Sequence, residues 1–453
     1  MVIVGAGLAG SEVALQLARR SIAVDLLEMR PVVQTAVHKT GECAELVCSN
    51  SLKSTKPESA AGMLKHELGS LGSVLYEEAC VHAVPAGGAL VVDREAFASA
   101  VTARIMAEPL ITLVREEATS VENLAESYDI VVLATGPLTS DSLSASVQSL
   151  TGGYLAFYDA AAPIVLSESL DYEVLFRQSR YEDAGSAEGE ARGDYLNAPF
   201  TKDEYERFID ALLQADRVIA RDFETKELFQ ACQPIEEIAR AGRDAPRFGP
   251  LKPVGLTDPR TGRRPWAALQ LRAEDAHGSS YNLVGFQTNL KFPEQARVFR
   301  MIPGLENAEF VRYGVMHRNT FVDAPLLLDE SLRLVSPAAC GMGAPIFVAG
   351  QLGGTEGYCE AIRSGLHVAI SVAALLGGKS LPTLPRETAF GALLAYATDV
   401  NTKGYQPMHV NFGIMPPLDS PVRNKRARYS AYAERGAVAL ADYCGQLESA
   451  GLR

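Results

Sequence analysis

The sequence lacks the features that mark membrane and secreted proteins. None of its apolar runs reaches the roughly 18 uncharged residues that a membrane span needs, and the best candidate, residues 368–376, is too short. Residues 1–10 are apolar and rich in glycine, but they lack the basic segment that begins a signal peptide. We therefore expect a cytoplasmic protein with no membrane association.

Cysteine pairs with metal-ligand spacing are also missing. The seven cysteines, at positions 43, 48, 80, 232, 340, 359 and 444, include no Cys-x-x-Cys pair. A zinc site is therefore not expected, and no other metal site is evident. In a reducing compartment most of these thiols fill small spaces in the core, and one or two are candidate nucleophiles.

The chain has no overall positive charge and only one tryptophan. Its formal net charge of -13 argues mildly against binding to nucleic acid unless local basic patches supply the phosphate contacts. Two segments are candidates for such patches, and a solvated face is an equally good interpretation of each. The first comprises Arg240, Arg243, Arg247, Lys252, Arg260, Arg263 and Arg264, beside Trp266, which could stack on a base; the second comprises Arg423, Lys425, Arg426 and Arg428.

The N-terminus carries a complete strand–helix–strand pattern. Residues 2–4 predict a strand, 11–20 a helix and 23–28 a second strand, with Gly5-x-Gly7-x-x-Gly10 between the first two elements. In a dinucleotide-binding turn, the first glycine permits the turn, the second admits a pyrophosphate and the third allows close packing of helix and strand. Glu28 ends the second strand, where a carboxylate can accept both ribose hydroxyls of an adenosine.

Two later segments favour FAD over NAD as the dinucleotide. A buried strand at 129–134 ends in Thr135-Gly136, and a strand at 346–350 leads through a glycine-rich turn to a helix at 360–375. We therefore predict an α/β fold with a Rossmann-type FAD-binding domain of the two-dinucleotide flavoprotein type. That domain comprises residues 1–170 and 322–453, and an inserted α+β domain spans 171–321. Residues 60–79 predict helical structure, and the polar segment 35–57 predicts a loop over the site.

Longer stretches carry a family resemblance that runs nearly from end to end. They are residues 4–12, 44–52, 85–90, 133–140, 247–256, 297–310, 313–321 and 406–413. In these the chain resembles the bacterial folate- and FAD-dependent tRNA (uracil-5-)-methyltransferases, relatives of the glucose-inhibited-division-protein-A flavoproteins. The resemblance implies that reduced flavin N5 takes a methylene group from methylenetetrahydrofolate and passes it to C5 of a uridine in the T-loop of tRNA. The flavin then reduces that carbon to a methyl group, and NADPH or NADH restores the reduced flavin.

The resemblance also implies two catalytic cysteines, which by motif fall on Cys48 and Cys232. Attack of a thiolate at C6 makes C5 of uracil nucleophilic, and such a thiolate needs a nearby cation or helix N-terminus. Cys232 precedes a proline-initiated helical pattern at 234–240, so we expect it to attack C6. Cys48 lies near Lys53 in the polar loop, so we expect it to handle the flavin-bound methylene or a proton. The reverse assignment stays open.

The remaining site predictions concern the cofactor and the folate. The predicted cofactor contacts are Gly5, Ala6, Gly7, Leu8, Ala9, Gly10, Glu28, Arg30, Thr135, Gly136, Gly350 and Gln351. His317, Glu356 and Tyr358 are candidate folate or substrate contacts, and a structural role competes for each of them.

Departures from the family pattern leave other functions open. Gln230-Ala231 stands where the family has Glu-Gly, and Thr355 stands where it has Val. A paralogue that methylates a ribosomal RNA uridine, a flavin-dependent NAD(P)H oxidoreductase acting on a small molecule, and a flavin-holding RNA-binding protein without turnover are the alternatives. For the leading interpretation we expect tRNA as the partner, no stable protein partner, and a monomer or dimer.

Overall fold

The computed structural model describes the chain except for residues 36, 153–154, 161, 181–193, 219–232, 276, 315 and 403–404, and only the backbone of 155–160 and 316–319. The strands of the described part are β1 Val2–Val4, β2 Val24–Leu27, β3 Ser51–Ser54, β4 Ala83–Val84, β5 Ala89–Val92, β6 Ile111–Val114, β7 Val131–Leu133, β8 Leu155–Ala160, β9 Ile164–Leu166, β10 Phe176–Arg177, β11 Tyr195–Phe200, β12 Ala267–Ala273, β13 Ser280–Leu283, β14 Phe310–Arg312, β15 Met316–Phe321 and β16 Ile346–Val348. Its helices are α1 Leu8–Arg19, α2 Ala60–Ser70, α3 Val74–Val81, α4 Arg94–Ala107, α5 Val121–Ser127, α6 Asp141–Thr151, α7 Lys202–Gln214, α8 Ile235–Ala241, α9 Ala245–Phe248, α10 Phe292–Phe299, α11 Ala324–Leu327, α12 Pro337–Cys340, α13 Tyr358–Leu376, α14 Ala389–Thr398 and α15 Lys425–Ser449.

A parallel sheet with the strand order β16-β7-β1-β2-β6 forms the centre of the first half of the fold. Val2 of β1 lies opposite Asp25 of β2 on one side and Val131 of β7 on the other. The strands are short and almost wholly apolar because helices cover both faces of such a sheet. The chain runs from β1 to β2 on one side and later returns to β7 on the other side. Open α/β sheets bind ligands at such a reversal, beyond the carboxyl ends of the strands.

Helices α1 and α13 pack against each other beside this sheet. A Cβ atom on Gly365 of α13 would lie 2.4 Å from the carbonyl oxygen of Ala9 in α1, so a larger residue would force the two backbones apart. Helix α13 is long and apolar enough to cross a membrane, yet 78% of its apolar window is buried inside the protein, as in a core helix. The helix begins ten residues before the apolar run 368–376. Its first turns contain the charged residues Glu360 and Arg363, which are buried and which interrupt the apolar pattern in the sequence.

An antiparallel sheet with the order β10-β11-β12-β13-β9-β14 forms the second half of the fold. Helix α7 shares a hydrophobic core with this sheet, and it buries Tyr205, Phe208 and Leu212 at helical spacing. Most strands of the sheet lie within residues 171–321, and β9 adds residues 164–166. The domain boundaries at 170 and 322 stay a prediction.

One local prediction was wrong and another gains detail. The segment 60–79 is helical as predicted, but it forms two helices, α2 and α3, and the chain turns between them at Gly72, which has a left-handed φ of +72°. The segment 35–57 is not all loop, because β3 pairs with β5 inside it. Its sequence, Ser-Leu-Lys-Ser, offers a single apolar residue, Leu52, which is buried.

Candidate active site

The carboxyl ends of four parallel strands open onto one cavity of about 380 Å³. Its wall includes Gly5 after β1, Glu28 after β2, Thr135 after β7 and Gly350 after β16. Parallel strands that lie side by side end at the same edge of the sheet, so residues from distant parts of the sequence meet there.

The three glycines of the turn after β1 meet three different steric demands. Gly5 has a φ of +97°, and a Cβ there would lie 2.7 Å from the carbonyl oxygen of Ala134. A Cβ on Gly10 would lie 1.9 Å from the carbonyl oxygen of Gly5, so α1 could not pack against β1. A Cβ on Gly7 would meet no described atom within 4 Å. Because Gly7 lines the cavity, that space is open to a ligand.

The N-terminus of α1 points its unused donors toward this space. The N–H of Ser11 donates to the carbonyl of Gly7 at 2.9 Å, which closes the first turn of the helix. The preceding N–H groups, those of Leu8, Ala9 and Gly10, belong to the helix terminus and have no carbonyl one turn earlier to accept them. Gly7, Leu8 and Ala9 line the cavity, so the helix end offers N–H groups and a positive dipole to a phosphate.

Glu28 is held firmly at the end of β2. One carboxylate oxygen accepts the N–H of Ala6 at 2.9 Å, and the other accepts the backbone N–H and Nε of Arg30 at 3.0 and 2.8 Å. Burial opposes its ionisation, but Arg30 and the two N–H donors lower the pKa of Glu28 below its ordinary value. Arg30 also pairs with Glu45 at 3.1 Å. A carboxylate has about four acceptor positions, so Glu28 keeps capacity for a ligand hydroxyl.

The opposite wall is built from the ends of β7 and β16. Thr135 and Gly136 follow β7, while Gly350 and Gln351 follow β16, and all four line the cavity. The N–H of Gly350 donates to the hydroxyl of Ser364 in α13 at 2.7 Å, which fixes this turn against the helix. The side chain of Gln351 donates to Glu356, another predicted site residue on the cavity wall.

The thiol of Cys48 contacts the hydroxyl of Tyr358, the first residue of α13. The sulfur and the phenolic oxygen are 3.0 Å apart, and the same oxygen accepts the N–H groups of Cys48 and Ser49 at 3.0 and 3.1 Å. A phenol has two lone pairs and one proton, so with both lone pairs engaged its O–H is left to donate to the sulfur. Burial and the neighbouring Cys48 raise the pKa of Tyr358 well above its usual value, which keeps that proton in place.

Arginines hold the backbone of the loop that carries Cys48. Arg312, from β14 of the second sheet, donates to the carbonyls of Val47 and Cys48 at 2.8 and 3.3 Å. Arg94, at the start of α4, donates to the carbonyl of Leu46 at 2.6 Å. The cysteine therefore takes its position from α4 and from a strand of the second sheet.

A third arginine holds the side chains that follow Cys48. Arg272, from β12, donates to Asn50 Oδ1 at 2.9 Å and to the hydroxyl of Ser49 at 3.1 Å. Asn50 is fully buried, and it donates in turn to the carbonyls of Val92 and Ala273 at 3.1 and 3.0 Å. The Cys-Ser-Asn-Ser motif thus joins the two halves of the fold as well as supplying a thiol.

Reasoning from the sequence used Lys53 only as a cation near Cys48, and it did not assign a role to Glu360 or His409. Lys53 lies 3.3 Å from the buried carboxylate of Glu360 and has a left-handed φ of +67°, an uncommon conformation for a lysine. Burial works against its charge, but Glu360 and Glu356 raise the pKa of Lys53. Burial and the charge of Lys53 lower the pKa of His409, which lines the cavity. Their positions inside the matched stretches or beside motif residues were the available signal.

Two of the predicted site residues fall where the structure gives no side-chain geometry. Cys232 lies outside the described residues, and His317 is described only as backbone, in β15 opposite Asp159. The roles predicted for both stay predictions. Among the residues that the structure does describe, no group of three or more His, Cys, Asp or Glu side chains has the arrangement of a metal site.

The cavity fits an FAD molecule on the geometry of its wall. The open space beside Gly7 admits a pyrophosphate at the end of α1, Glu28 lies one strand away for the ribose, and the turns after β7 and β16 complete the opposite wall. A Rossmann-type sheet with this second turn beside a long buried helix defines the class of dinucleotide-binding flavoproteins.

Comparison with known proteins narrows the class to a family. The family model described as "Glucose inhibited division protein A" matches residues 1–380. Two relatives named Methylenetetrahydrofolate--tRNA-(uracil-5-)-methyltransferase TrmFO, from Heliobacterium modesticaldum and Symbiobacterium thermophilum, are 51% and 52% identical over 439 and 443 residues. Each alignment covers 97% of this chain and 96% of the relative. The chain therefore belongs to the glucose inhibited division protein A family, within its group of methylenetetrahydrofolate–tRNA-(uracil-5-)-methyltransferases.

A solved structure shares the fold. The structure of Aquifex aeolicus GidA in the form II crystal superposes with a TM-score of 0.67 and 17% identity, covering 98% of this chain and 73% of that one. The predicted family and the predicted α/β Rossmann-type fold class are confirmed.

Proposed function

We propose that this chain is an FAD-dependent enzyme that transfers a one-carbon unit from methylenetetrahydrofolate to C5 of a uridine in the T-loop of tRNA, with NADPH or NADH as the reductant. The observation that carries the proposal is the thiol of Cys48 on the wall of the cavity onto which the dinucleotide turn opens. Relatives that bear this activity in their names, at about half identity over nearly the whole chain, support it.

The cofactor would lie along the carboxyl edge of the parallel sheet. The turn from Gly5 to Gly10 would hold the pyrophosphate and Glu28 the adenosine ribose, while Thr135 with Gly350 would flank the far end of the cavity. When bound, FAD supplies the carrier for the one-carbon unit and the reducing equivalents that complete the methyl group. The chain itself binds and orients the cofactor and the substrates, and it excludes water from the cavity.

Cys48 is the proton-handling thiol of the site. The phenolic proton of Tyr358 is directed at its sulfur, and a hydrogen bond donated to sulfur favours the thiolate over the thiol. The arginines that hold residues 46–50 add positive charge around the loop, which acts in the same direction. Cys48 can therefore take a proton from the substrate and return it while the loop stays fixed.

Cys232 is the nucleophile in this proposal. Its thiolate adds to C6 of the uracil, the electrons move to make C5 an enolate carbon, and loss of the C5 proton later expels the sulfur. This role comes from the sequence motif around Cys232. The reverse assignment of the two cysteines is the alternative, and experiment decides between them. Glu356, on the cavity wall, and His317 are proposed to contact the folate or the uridine.

The assembly and location follow from the substrate. An enzyme that acts on tRNA works where tRNA is modified, so we propose a cytoplasmic enzyme. We also propose that it acts as a monomer or dimer without a stable protein partner.

A methylation assay tests the function. Purified protein is mixed with an unmodified tRNA transcript, methylenetetrahydrofolate, NADPH and FAD, and the digested RNA is examined for 5-methyluridine by mass spectrometry. Product that disappears when folate is omitted is the expected result. NADPH oxidation that needs neither folate nor RNA would instead identify a small-molecule oxidoreductase. Product that forms only when a ribosomal RNA transcript replaces the tRNA would identify the paralogue.

Variants of single cysteines test the residues. Cys48→Ser and Cys232→Ser are expected to lose product while still binding FAD. Cys340→Ser, which removes an exposed thiol that does not line the cavity, is the matched control and should retain activity. Full methyl transfer by either active-site variant would remove that cysteine from the mechanism.

A further inference from the structure

The beginning of α15 and the segment before it form a surface with an unusual charge for this protein. We call it the C-terminal basic surface, and it comprises Arg423, Lys425, Arg426 and Arg428 with the rings of Phe412, Tyr429 and Tyr432. Between Asp419 and Glu434 the chain has no acidic residue, whereas its overall net charge is -13. The surface is therefore a strongly positive region on an acidic protein.

These cations are not used in ion pairs within the described part of the chain. Arg423, Lys425 and Arg426 are exposed, and none of the four lies within ion-pair distance of a described carboxylate. They also stand where helix electrostatics disfavours them, because the first turn of a helix attracts anions and the first turn of α15 has no acidic residue. A local arrangement that opposes stability in this way is typical of a binding surface.

Aromatic rings accompany the cations. The ring of Phe412 stacks on Tyr429 with centroids 4.3 Å apart and on Tyr432 with centroids 5.2 Å apart. Lys425 and Arg428 lie 5.5 and 5.8 Å from the centre of the Tyr429 ring. Half-exposed rings between unpaired cations are the combination that binds unstacked bases together with their phosphates.

The C-terminal basic surface is close to the cavity. His409 lines the cavity, and Phe412 follows it by three residues, so their backbones are at most about 11 Å apart. The N–H of Val410 donates to Glu360 in α13 at 3.3 Å, which anchors this segment beside the site. Arg435 of α15 donates to the carbonyls of residues 416 and 417 at 2.6 and 2.7 Å, so the segment is also fixed to the helix.

Several cations of the other basic segment are already engaged within the protein, although Arg263 and Arg264 are exposed. Arg243 pairs with Asp210 at 2.6 Å, and Arg260 pairs with Asp258 at 3.1 Å. The guanidinium of Arg247 lies 3.6 Å from the centre of the Trp266 ring and so covers one face of that ring. The face of Trp266 that was predicted to stack on a base is thus partly taken by the protein itself.

We propose that the C-terminal basic surface binds the sugar–phosphate backbone and an unstacked base of the substrate RNA beside the cavity. This inference rests on the proposed function for the identity of the RNA. In this proposal the four cations contact phosphates, and the three rings offer a surface on which a base can stack.

The test is the salt dependence of RNA binding, measured with an unmodified tRNA transcript and FAD-loaded protein. The variant R423Q/K425Q/R426Q/R428Q removes the four cations. The control K202Q/K291Q/R297Q/R104Q removes four ion-paired cations from elsewhere, three of them exposed and Arg104 half-buried, so both proteins change from a net charge of -13 to -17. Retention of bound FAD and an unchanged circular dichroism spectrum verify that each variant is folded.

The slope of log K against log salt should become shallower by about 3 in the surface variant, since each phosphate contact contributes about 0.7 to 0.9. Binding at 0.1 M salt should weaken by about fivefold per cation. The control should keep the slope of the original protein. Tyr429→Leu should weaken RNA binding by about tenfold without changing the slope. Equal weakening in both quadruple variants, or an unchanged slope in the surface variant, would overturn the proposal.

Measuring binding separately from methylation distinguishes the two proposals. In one outcome the original protein makes no 5-methyluridine, and the surface variant loses the salt-dependent tRNA binding that the original protein shows. The proposed function then fails, and the surface proposal stands. If methylation occurs and the surface variant keeps the KM for tRNA and the salt slope, the function stands and the surface proposal fails.

Discussion

Replacing two glycines of the same turn should damage two different properties, FAD affinity in one variant and the stability of the fold in the other. Gly7 has an ordinary φ of -71°, and a Cβ there would meet no described atom within 4 Å, so Gly7→Ala should change the stability of the FAD-free protein by less than about 0.5 kcal/mol. The new methyl group would enter the space of the pyrophosphate and displace at least one charge-assisted hydrogen bond. Such a bond contributes about 1.5 to 3 kcal/mol, so FAD affinity should fall by about 10- to 150-fold.

Gly10→Ala should instead damage the fold whether or not FAD is bound. Its Cβ would lie 1.9 Å from the carbonyl oxygen of Gly5, so α1 must move away from β1 by more than about 1 Å. Overpacking of this kind typically costs about 1 to 3 kcal/mol and occasionally more.

Two measurements separate these effects. Calorimetry of the FAD-free proteins should give an unchanged Tm for Gly7→Ala and a clearly lower Tm for Gly10→Ala. Titration with FAD should then show weak binding by the folded Gly7→Ala protein. Normal FAD affinity in Gly7→Ala would refute the assignment of this turn to the pyrophosphate, and an unchanged Tm in Gly10→Ala would refute the packing explanation.

Three further predictions concern the loop that carries Cys48 and the core. Tyr358→Phe removes the hydroxyl that donates to Cys48. The pH at which Cys48 reaches half its maximal alkylation rate should therefore rise by about one unit. An unchanged pH profile would contradict the direction of this hydrogen bond. Arg272→Ala removes the donor to Asn50, so kcat should fall at least about tenfold while FAD binding is retained. Arg272→Lys should restore part of the activity. An unaltered kcat in Arg272→Ala would exclude a positioning role for Arg272. Burial and the charge of Arg363 lower the pKa of His367 to about 4, below its ordinary value, so the unfolded chain binds more protons between about pH 4 and 6.5. Stability should therefore decrease by about 3 kcal/mol as the pH falls through that window, and chemical denaturation should show a smaller decrease for His367→Gln.

The sequence alone determined the features that are written in short-range spacing. The turn from Gly5 to Gly10 and the position of Glu28 follow from local backbone geometry, so their order along the chain predicts where the cofactor lies. Helices α4 and α7 begin after the capping side chains of Asp93 and Thr201, which are local features of the same kind. Local patterns were weaker at 60–79, because only the packed structure shows that the chain turns at Gly72.

Only the tertiary structure decided which distant side chains meet. Cys48 and Tyr358 are separated by 310 residues, and Asn50 and Arg272 by 222, yet each pair makes a direct hydrogen bond. No periodicity or motif encodes such a contact, since it depends on how α13 and the second sheet pack against the parallel sheet. The sequence could mark Cys48 as a candidate reactive thiol, but the side chain that donates a hydrogen bond to its sulfur was decided by the packing of the loop that carries Cys48 against α13.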